Sequence, residues 1–590
     1  MKKSGLLYPY ILEHKWAYFI GIIGLFIVDY AQLYIPRFTG EIADGVKDGT
    51  MNMQGVTQYI MWIMIVTFFI FLGRILWRYF IFGSARKIEM SIRRDLFAKW
   101  ETLDTAYFNG QKTGDLMAYA TNDLNAVRMM AGPGMVIVFD AIVMTVFVVV
   151  QMAVYVSLPL TLLAVSPMPI IAVGGIYFGK RIEKLFGDKQ VAFGKLSDHV
   201  QESFTGIKVI KSFIQEAYQI SDFEKDNRDN YNKNMKLAKL GSLLTPLMTL
   251  IVGISLLIGL GYGGYLTMVS EISLGQFVAF NQYILMLVWP MMAISMGINV
   301  FAQGKASAQR LHKVLLEEPS VKDEKGARIK EKGQGEVTIK NLSFMFPDNG
   351  YEALEDISIH VRPGQTLAIL GRTGSGKSTL VNLLLRLYNP PKGTIFFDQD
   401  DIMDITLESA RSQIAYVPQD NFLFSDTIAN NIGFGLEEVD KDLVKQAAKE
   451  ASVHENIMDF PMGYDTIVGE RGATLSGGQK QRVSIARAFG LHAPILILDD
   501  SLSAVDTNTE EEILENLSRI RVGKTTIIIA HRISTVQHAD QIILLDHGKI
   551  VERGNHEKLL AKQGLYDQMY RQQLLEKEIQ EAYEGYHVKR

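Results

Sequence analysis

Six apolar runs crowd the first half of this chain: Trp16 to Ile35, Tyr59 to Phe82, Val136 to Val156, Leu158 to Phe178, Leu243 to Leu266, and Phe277 to Ile298. A helix of about 20 residues rises far enough to cross a hydrocarbon layer roughly 30 Å thick. Backbone groups in lipid must be satisfied within the segment, so runs of this length predict membrane-crossing helices. A buried core helix explains one such run, but six in one half are hard to explain that way. Beyond about Gly304 the composition is that of an ordinary soluble protein, so the overall apolar content of 48% averages two unlike halves. At 590 residues the chain exceeds what one core organises, and two or more domains are expected.

Loop charge sets the expected orientation. The connection after the second run carries Arg86, Lys87, Arg93, Arg94, Lys99, Lys112 and Arg128, and the one after the fourth carries a longer basic series from Lys180 to Lys239. The opposite connections hold little beyond Arg37 and Lys47, and only Ser157 separates the third run from the fourth. The long loops and both termini are therefore expected in the cytoplasm of a multi-pass cell-membrane protein. The first run reads as a retained span, because no small-residue cleavage site follows a short apolar core. Ile88, Ile92, Leu96 and Leu103 recur at helical spacing, so the spans are expected to continue into the cytoplasm as stalks. Two segments of these loops stand out, Gly114 to Asp123 and Glu202 to Phe213. Within the runs, Asp29, Arg74, Arg78 and Asp140 are ionisable and must face a cavity or a partner. A pathway role for Asp29 and Asp140 and a purely structural pairing both remain open. The absence of cysteine excludes disulfides, thiolate metal sites and cysteine nucleophiles, and a net charge of -4 gives no reason to expect nucleic acid as a partner.

A charged linker, 321–335, precedes strand-like patterns. The strongest short motif is Gly371-Arg372-Thr373-Gly374-Ser375-Gly376-Lys377-Ser378, followed by Thr379. It lies after the apolar run Thr366 to Leu370 and before a helical pattern, which is the context a phosphate-binding loop needs. The glycines let backbone N–H groups wrap phosphates, Lys377 meets the terminal phosphates and Ser378 is placed to bind magnesium. Further on, the apolar strand Ile495 to Leu498 ends in Asp499, a candidate for the magnesium shell, and Asp500 follows where a carboxylate can polarise an attacking water.

Leu475-Ser476-Gly477-Gly478-Gln479, with Lys480-Gln481-Arg482, resembles the signature of ATP-binding cassette proteins and lies between the phosphate loop and Asp499 as it does in that family. The resemblance extends to Gln419 as the Q-loop glutamine, Asp506 in the D-loop, His531 as the switch histidine and Phe346 where the family stacks adenine, usually on Tyr. It implies ATP and Mg2+ as cofactors. Ser378, Gln419 and Asp499 would hold the metal, Asp500, Gln419 and His531 would act in hydrolysis, and Ser476, Gly477, Gly478, Gln479 and Asp506 would contact nucleotide across a dimer. The whole chain resembles a type IV exporter half-transporter of the heterodimeric bacterial multidrug kind. The implied fold is an all-α six-helix transmembrane domain over 1–320, then an α/β P-loop NTPase cassette over 336–575 and a C-terminal tail at 576–590. By its own pattern, Gly564 to Arg590 is helical and charged and reads as a solvated or partner-facing helix. The two loop segments match the family's coupling helices in position, and Thr466 to Gly472 resembles an exporter-specific segment before the signature.

One departure matters. Such exporters usually carry Glu where this chain has Asp500, one methylene shorter. A catalytic group misplaced by about 1 Å can cost on the order of 100-fold. The expectation is an ATPase-coupled exporter of amphipathic small molecules or lipids, paired with a second half-transporter that has the Glu and a degraded signature. A homodimeric lipid or peptide flippase is the alternative within transport, and a nucleotide-gated channel or sensor the alternative outside it.

Overall fold

The computed structural model describes residues 6–347 and 350–587. The chain divides into two compact units, Met1–Thr102 with Gln111–Glu317, and Leu103–Gly110 with Glu318–Arg590.

The first unit is helical. Five stretches among its described residues are long and apolar enough to cross a membrane: Lys15–Lys47, Met53–Thr102, Thr113–Val156, Glu216–Met268 and Leu274–Leu316. Large side chains such as Trp16 at 69% exposure and Phe69 at 62% face outward, the arrangement expected of helices solvated by lipid rather than water. The fourth expected span is divided. A helix covers Leu158–Val165 and a second runs over Pro169–Thr205. Pro167 and Pro169 lack the N–H that an uninterrupted helix needs there, and the junction is closed by short bonds from Met168 N–H to the Val165 carbonyl (2.9 Å) and from Ile170 N–H to Pro167 (3.1 Å).

The stalks are longer than any bilayer. Met53–Thr102 has 50 residues, about 75 Å of helix. Its Ile88, Ile92 and Leu96 are fully buried, packed with Leu124, Val127 and Leu311, as their four-residue spacing predicts. Nearby, Arg310 grips Asp123 through Nε (3.0 Å) and Nη2 (2.5 Å), and Ser307 Oγ donates to the same carboxylate at 2.8 Å. Of the ionisable groups in the spans, Asp29 is fully buried, Arg74 donates to Gln32 Oε1 at 3.4 Å, and the Arg78 guanidinium lies 5.4 Å from the Trp77 ring centre.

The second unit holds two sheets. The smaller has the order β2-β1-β4-β5, built from Glu352–Val361 (β2), Val337–Met345 (β1), Ile395–Phe397 (β4) and Asp400–Asp401 (β5). The larger has the order β10-β9-β3-β8-β7-β6, comprising Thr366–Gly371 (β3), Ile414–Val417 (β6), Ile495–Asp499 (β7), Thr525–Ile529 (β8), Gln541–Asp546 (β9) and Lys549–Gly554 (β10). Its strands are parallel except at the β10 edge. Every residue of β7 and β8 is buried, which is why they read as unbroken apolar runs rather than alternating ones. Register pairs Val417 with Leu498, Asp499 with Ile529, and Ile369 with Ile529. The carboxyl ends of β3, β6, β7 and β8 therefore share one edge of the sheet, where ligands of open parallel sheets bind.

The short helix Thr105–Asn109 belongs to this second unit. Of the two loop segments expected as coupling helices, Gly114 to Asp123 forms the helix Thr113–Ala118 and a wider turn, and falls in the first unit. The helix Thr105–Asn109 is capped by Asp104, whose Oδ1 accepts from Tyr107 N–H at 3.1 Å. The other segment, Glu202 to Phe213, contains the helix Ile207–Ser212 and falls in the first unit as well.

Candidate nucleotide site

The loop between β3 and the helix Lys377–Leu384 folds around its glycines. Gly374 and Gly376 have φ of +82° and +100°, conformations that side chains resist. A Cβ at Gly376 would lie 2.7 Å from the Ala353 carbonyl, while Gly374 faces open space where a ligand can approach the bare backbone. Lys377 is buried and its Nζ donates to the carbonyls of Gly371 (2.7 Å) and Arg372 (2.9 Å). Burial lowers its pKa, opposed by Asp499 and Asp500. An ammonium held this way gains by meeting phosphate.

A cavity of about 280 Å³ joins these parts. Thr373, Gly374, Gly376, Lys377, Ser378 and Thr379 line one side, and Gln419, Asp499, Asp500 and His531 the other. Residues separated by more than 150 positions meet because four strands end together. Asp499, only 5% exposed, has its pKa raised by burial and by Asp500, against the Tyr416 hydroxyl, Lys377 and His531. The Tyr416 hydroxyl donates to Asp499 Oδ2 at 3.5 Å, and burial beside that carboxylate raises its own pKa. Asp500 adopts φ +45° and donates its N–H to the Ile529 carbonyl at 2.8 Å, which anchors its main chain against β8.

Other expected residues lie elsewhere. Gly371, Arg372 and Ser375 shape the loop without lining the cavity: a Cβ on Gly371 would sit 2.6 Å from Ser375 Oγ, and that hydroxyl is itself buried. Phe346 is half-buried and packs edge-on against Phe344 and Tyr388. Ser476 caps the helix Gly477–Gly490, accepting from Gln479 N–H at 3.3 Å while Gln479 Oε1 accepts from Ser476 N–H at 2.9 Å. Ser476 and Gly477 are exposed, Gly478 sits tightly against the Ala504 carbonyl, and none of Ser476, Gly477, Gly478 and Gln479 lines the cavity. Asp506 caps the helix Thr507–Ile520 through Thr509 N–H at 3.1 Å, which lowers its pKa.

Three supporting residues were not among the expected site residues. Gln481, 2% exposed, donates to the Asp500 carbonyl (3.3 Å) and accepts from Ala504 N–H (3.0 Å). Tyr351 lines the cavity from the loop before β2. Gln573 donates to the His531 carbonyl at 2.8 Å and accepts from Ile533 N–H at 2.9 Å, so the helix Leu565–His587 braces the switch segment. The start of that helix is not solvated, since Tyr566 is fully buried.

A profile described as the ABC transporter transmembrane region matches residues 18–291, and one described as ABC transporter matches 354–503. The probable multidrug resistance ABC transporter ATP-binding/permease protein YheI of Bacillus subtilis is 41% identical over 98% of both chains. The chain belongs to the ABC transporter family. The multidrug resistance-like ATP-binding protein MdlA of Escherichia coli is 38% identical over 97% of each chain. A bacterial Atm1-family ABC exporter with ATP bound superposes on this transporter with a TM-score of 0.81 at 26% identity, covering 96% of this chain and 99% of that one. This ABC transporter is thus a multi-pass membrane protein and an ATPase coupled to transport, with a helical transmembrane domain followed by a nucleotide-binding domain of mixed sheets.

Proposed function

We propose that this chain is one half of a cell-membrane exporter that moves amphipathic drugs or lipids outward, with its cassette in the cytoplasm. The observation that carries the need for a second half is the position of Ser476 to Gln479: outside the cavity lined by the chain's own phosphate loop, with Ser476 and Gly477 exposed. A nucleotide between phosphate loop and signature then requires two chains, each lending its signature to the other. The second loop tip supports this, because Phe204, Ile207, Val209, Phe213 and Ile214 are all exposed around a cytoplasmic helix and suit coverage by a partner.

Within the site, Lys377 and the loop amides bind the terminal phosphates, and the Phe346 ring stacks the base. The Ser378 hydroxyl, Gln419 amide and buried Asp499 carboxylate are hard oxygen donors of the kind Mg2+ takes, and the ion held there would neutralise phosphate charge. Asp500 orients the attacking water and His531 adjoins it from β8. The short reach of Asp500 supports a site that binds ATP well and hydrolyses it slowly, and hence a heterodimer whose partner supplies Glu and a weakened signature. Closing of the paired cassettes on ATP shifts the population of inward-facing and outward-facing states.

The test uses inside-out vesicles containing the assembly in which the chain purifies. ATP-dependent accumulation of an amphipathic dye is expected, and Lys377→Ala is expected to lower it at least about tenfold through lost phosphate binding. Passive, ATP-independent conductance, or accumulation unaffected by Lys377→Ala, would favour the channel or sensor alternatives.

A further inference from the structure

The helix Thr105–Asn109 is held at both ends by side chains of the second unit. At its start, Asp104 Oδ1 caps Tyr107 N–H, while Oδ2 accepts from Ser320 N–H (2.5 Å), Ser320 Oγ (2.6 Å) and Val321 N–H (3.3 Å). Burial opposes ionisation of Asp104, but these donors hold its pKa below the usual value. At its end, Asn109 Nδ2 donates to the Tyr388 hydroxyl at 3.2 Å. The adjacent Asn389 donates to the Ser320 carbonyl at 3.0 Å, closing a circuit from Asp104 through Ser320 and Asn389 to Tyr388 and Asn109. Between the ends, Ala106 packs against the core that contains Phe344 and Tyr388.

Tyr388 is also one of three rings in mutual contact. Its centroid lies 5.3 Å from that of Phe346 with planes at 87°, and 6.1 Å from that of Phe344. Phe344 and Phe346 are 5.3 Å apart at 80°. Two of the rings are buried and the third, Phe346, is half-buried. In a cluster packed this tightly, a ring turned or pinned by a stacked base cannot move without its edge-on neighbour responding. The neighbour is the residue whose hydroxyl holds Asn109.

We propose that Tyr388 and Asn109 relay occupancy of the base position at Phe346 to the helix Thr105–Asn109, so that this helix is held most firmly when the bound triphosphate carries a base. Tyr388 is a positioning residue here, touching Phe346 and not the nucleotide. The relay rests on the reading that Phe346 stacks adenine. Its consequence follows from connectivity: Leu103–Gly110 joins the long helix Met53–Thr102 to the next transmembrane stretch, and Ser320–Val321 lies just after the chain returns to the second unit at Glu318. The Asp104 carboxylate ties these two segments together.

The experiment is hydrogen–deuterium exchange on the full chain, in the assembly in which it purifies, with Mg2+ and ATP, with Mg2+ and inorganic tripolyphosphate, and with Mg2+ alone. ATP is expected to slow exchange over residues 105–110 about tenfold, and tripolyphosphate to leave it within about twofold of the Mg2+ control. In Tyr388→Phe, which keeps the ring, and separately in Asn109→Ala, the slowing by ATP is expected to fall to within about twofold, with ATP affinity changed by no more than about twofold. A general loss of folding would move the affinity as well, so the split separates the relay from mere structure. Equal slowing by tripolyphosphate, or full slowing by ATP in both variants, would overturn the relay. Unchanged ATP affinity in Phe346→Ala would instead remove the adenine assignment beneath it.

Discussion

Asp500 and Asp499 are adjacent in sequence and differ in what surrounds them. The main chain of Asp500 is pinned on both sides: its N–H bonds Ile529, and its carbonyl accepts from Gln481 and from Ser503 Oγ at 3.0 Å. With the backbone fixed, side-chain length decides where the carboxylate sits. Asp500→Glu is therefore expected to raise single-turnover hydrolysis at this site at least about tenfold, toward a ceiling on the order of 100-fold. An unchanged rate would refute the account. The φ of +45° suits Asp better than Glu, so the faster variant is also expected to melt slightly earlier. Asp499 carries a different cost. Its pKa is raised by burial from 3.8, so the native state holds the proton more tightly than the unfolded chain does. Stability is lost as pH rises past the unfolded value, and the penalty is complete above the raised one. At neutral pH, Asp499→Asn is expected to raise the melting temperature of the nucleotide-free protein by roughly 2 °C, while Mg2+-dependent hydrolysis is lost. Calorimetry with and without MgATP measures both. At this scale the glycines and Lys377 stand out by their fixed spacing along the chain, and Asp499 by the apolar strand it ends. Tyr416 and Gln573 do not, because each acts through a contact made only after folding.

Among the elements, the signature helix Gly477–Gly490 shows how a motif acquires a second duty. Its first turn is a capping box that faces solvent, yet Gln481 on the same helix reaches the Asp500 carbonyl and the Ala504 N–H. Gln481→Met keeps the volume and removes both hydrogen bonds. It is expected to lower the hydrolysis rate severalfold with ATP affinity preserved, since no atom of Gln481 lines the cavity; a parallel loss of affinity would reject the positioning role. Gln481→Glu, which keeps the acceptor for Ala504, should recover part of the rate. Hydropathy located the fourth apolar run but not its break, which depends on Pro167 and Pro169 rather than on apolar content. The helix of the second unit begins nine residues before Gly114. Gly114 is a turn signal legible in the sequence, whereas the helix of the second unit starts at the Asp104 cap, whose remaining partners lie at Ser320 and Val321.

For the whole molecule, the proposed pairing of two chains at the nucleotide site can be tested directly. The absence of cysteine makes this easy to test. A variant with Ser476→Cys and Thr373→Cys places one thiol on the signature and one on the phosphate loop of the same 66.2 kDa chain. If two copies paired head to tail, oxidation with bound ATP would join them covalently. The heterodimer reading expects no such product under conditions where the chain remains in a complex of two subunits; a covalent homodimer on a denaturing gel would overturn it. The division into a lipid-solvated helical part and an ATP-binding part was written in the sequence by itself, since apolar run length and the glycine-lysine spacing of a phosphate loop are local properties that no later folding can undo. What only the tertiary structure decided is which side chains stand together. Strand order brings Gln419, Asp499, Asp500 and His531 to the loop of Lys377, and packing gives Thr105–Asn109 to the second unit. Such neighbours are set by sheet register and burial between residues far apart along the chain, which no local pattern records.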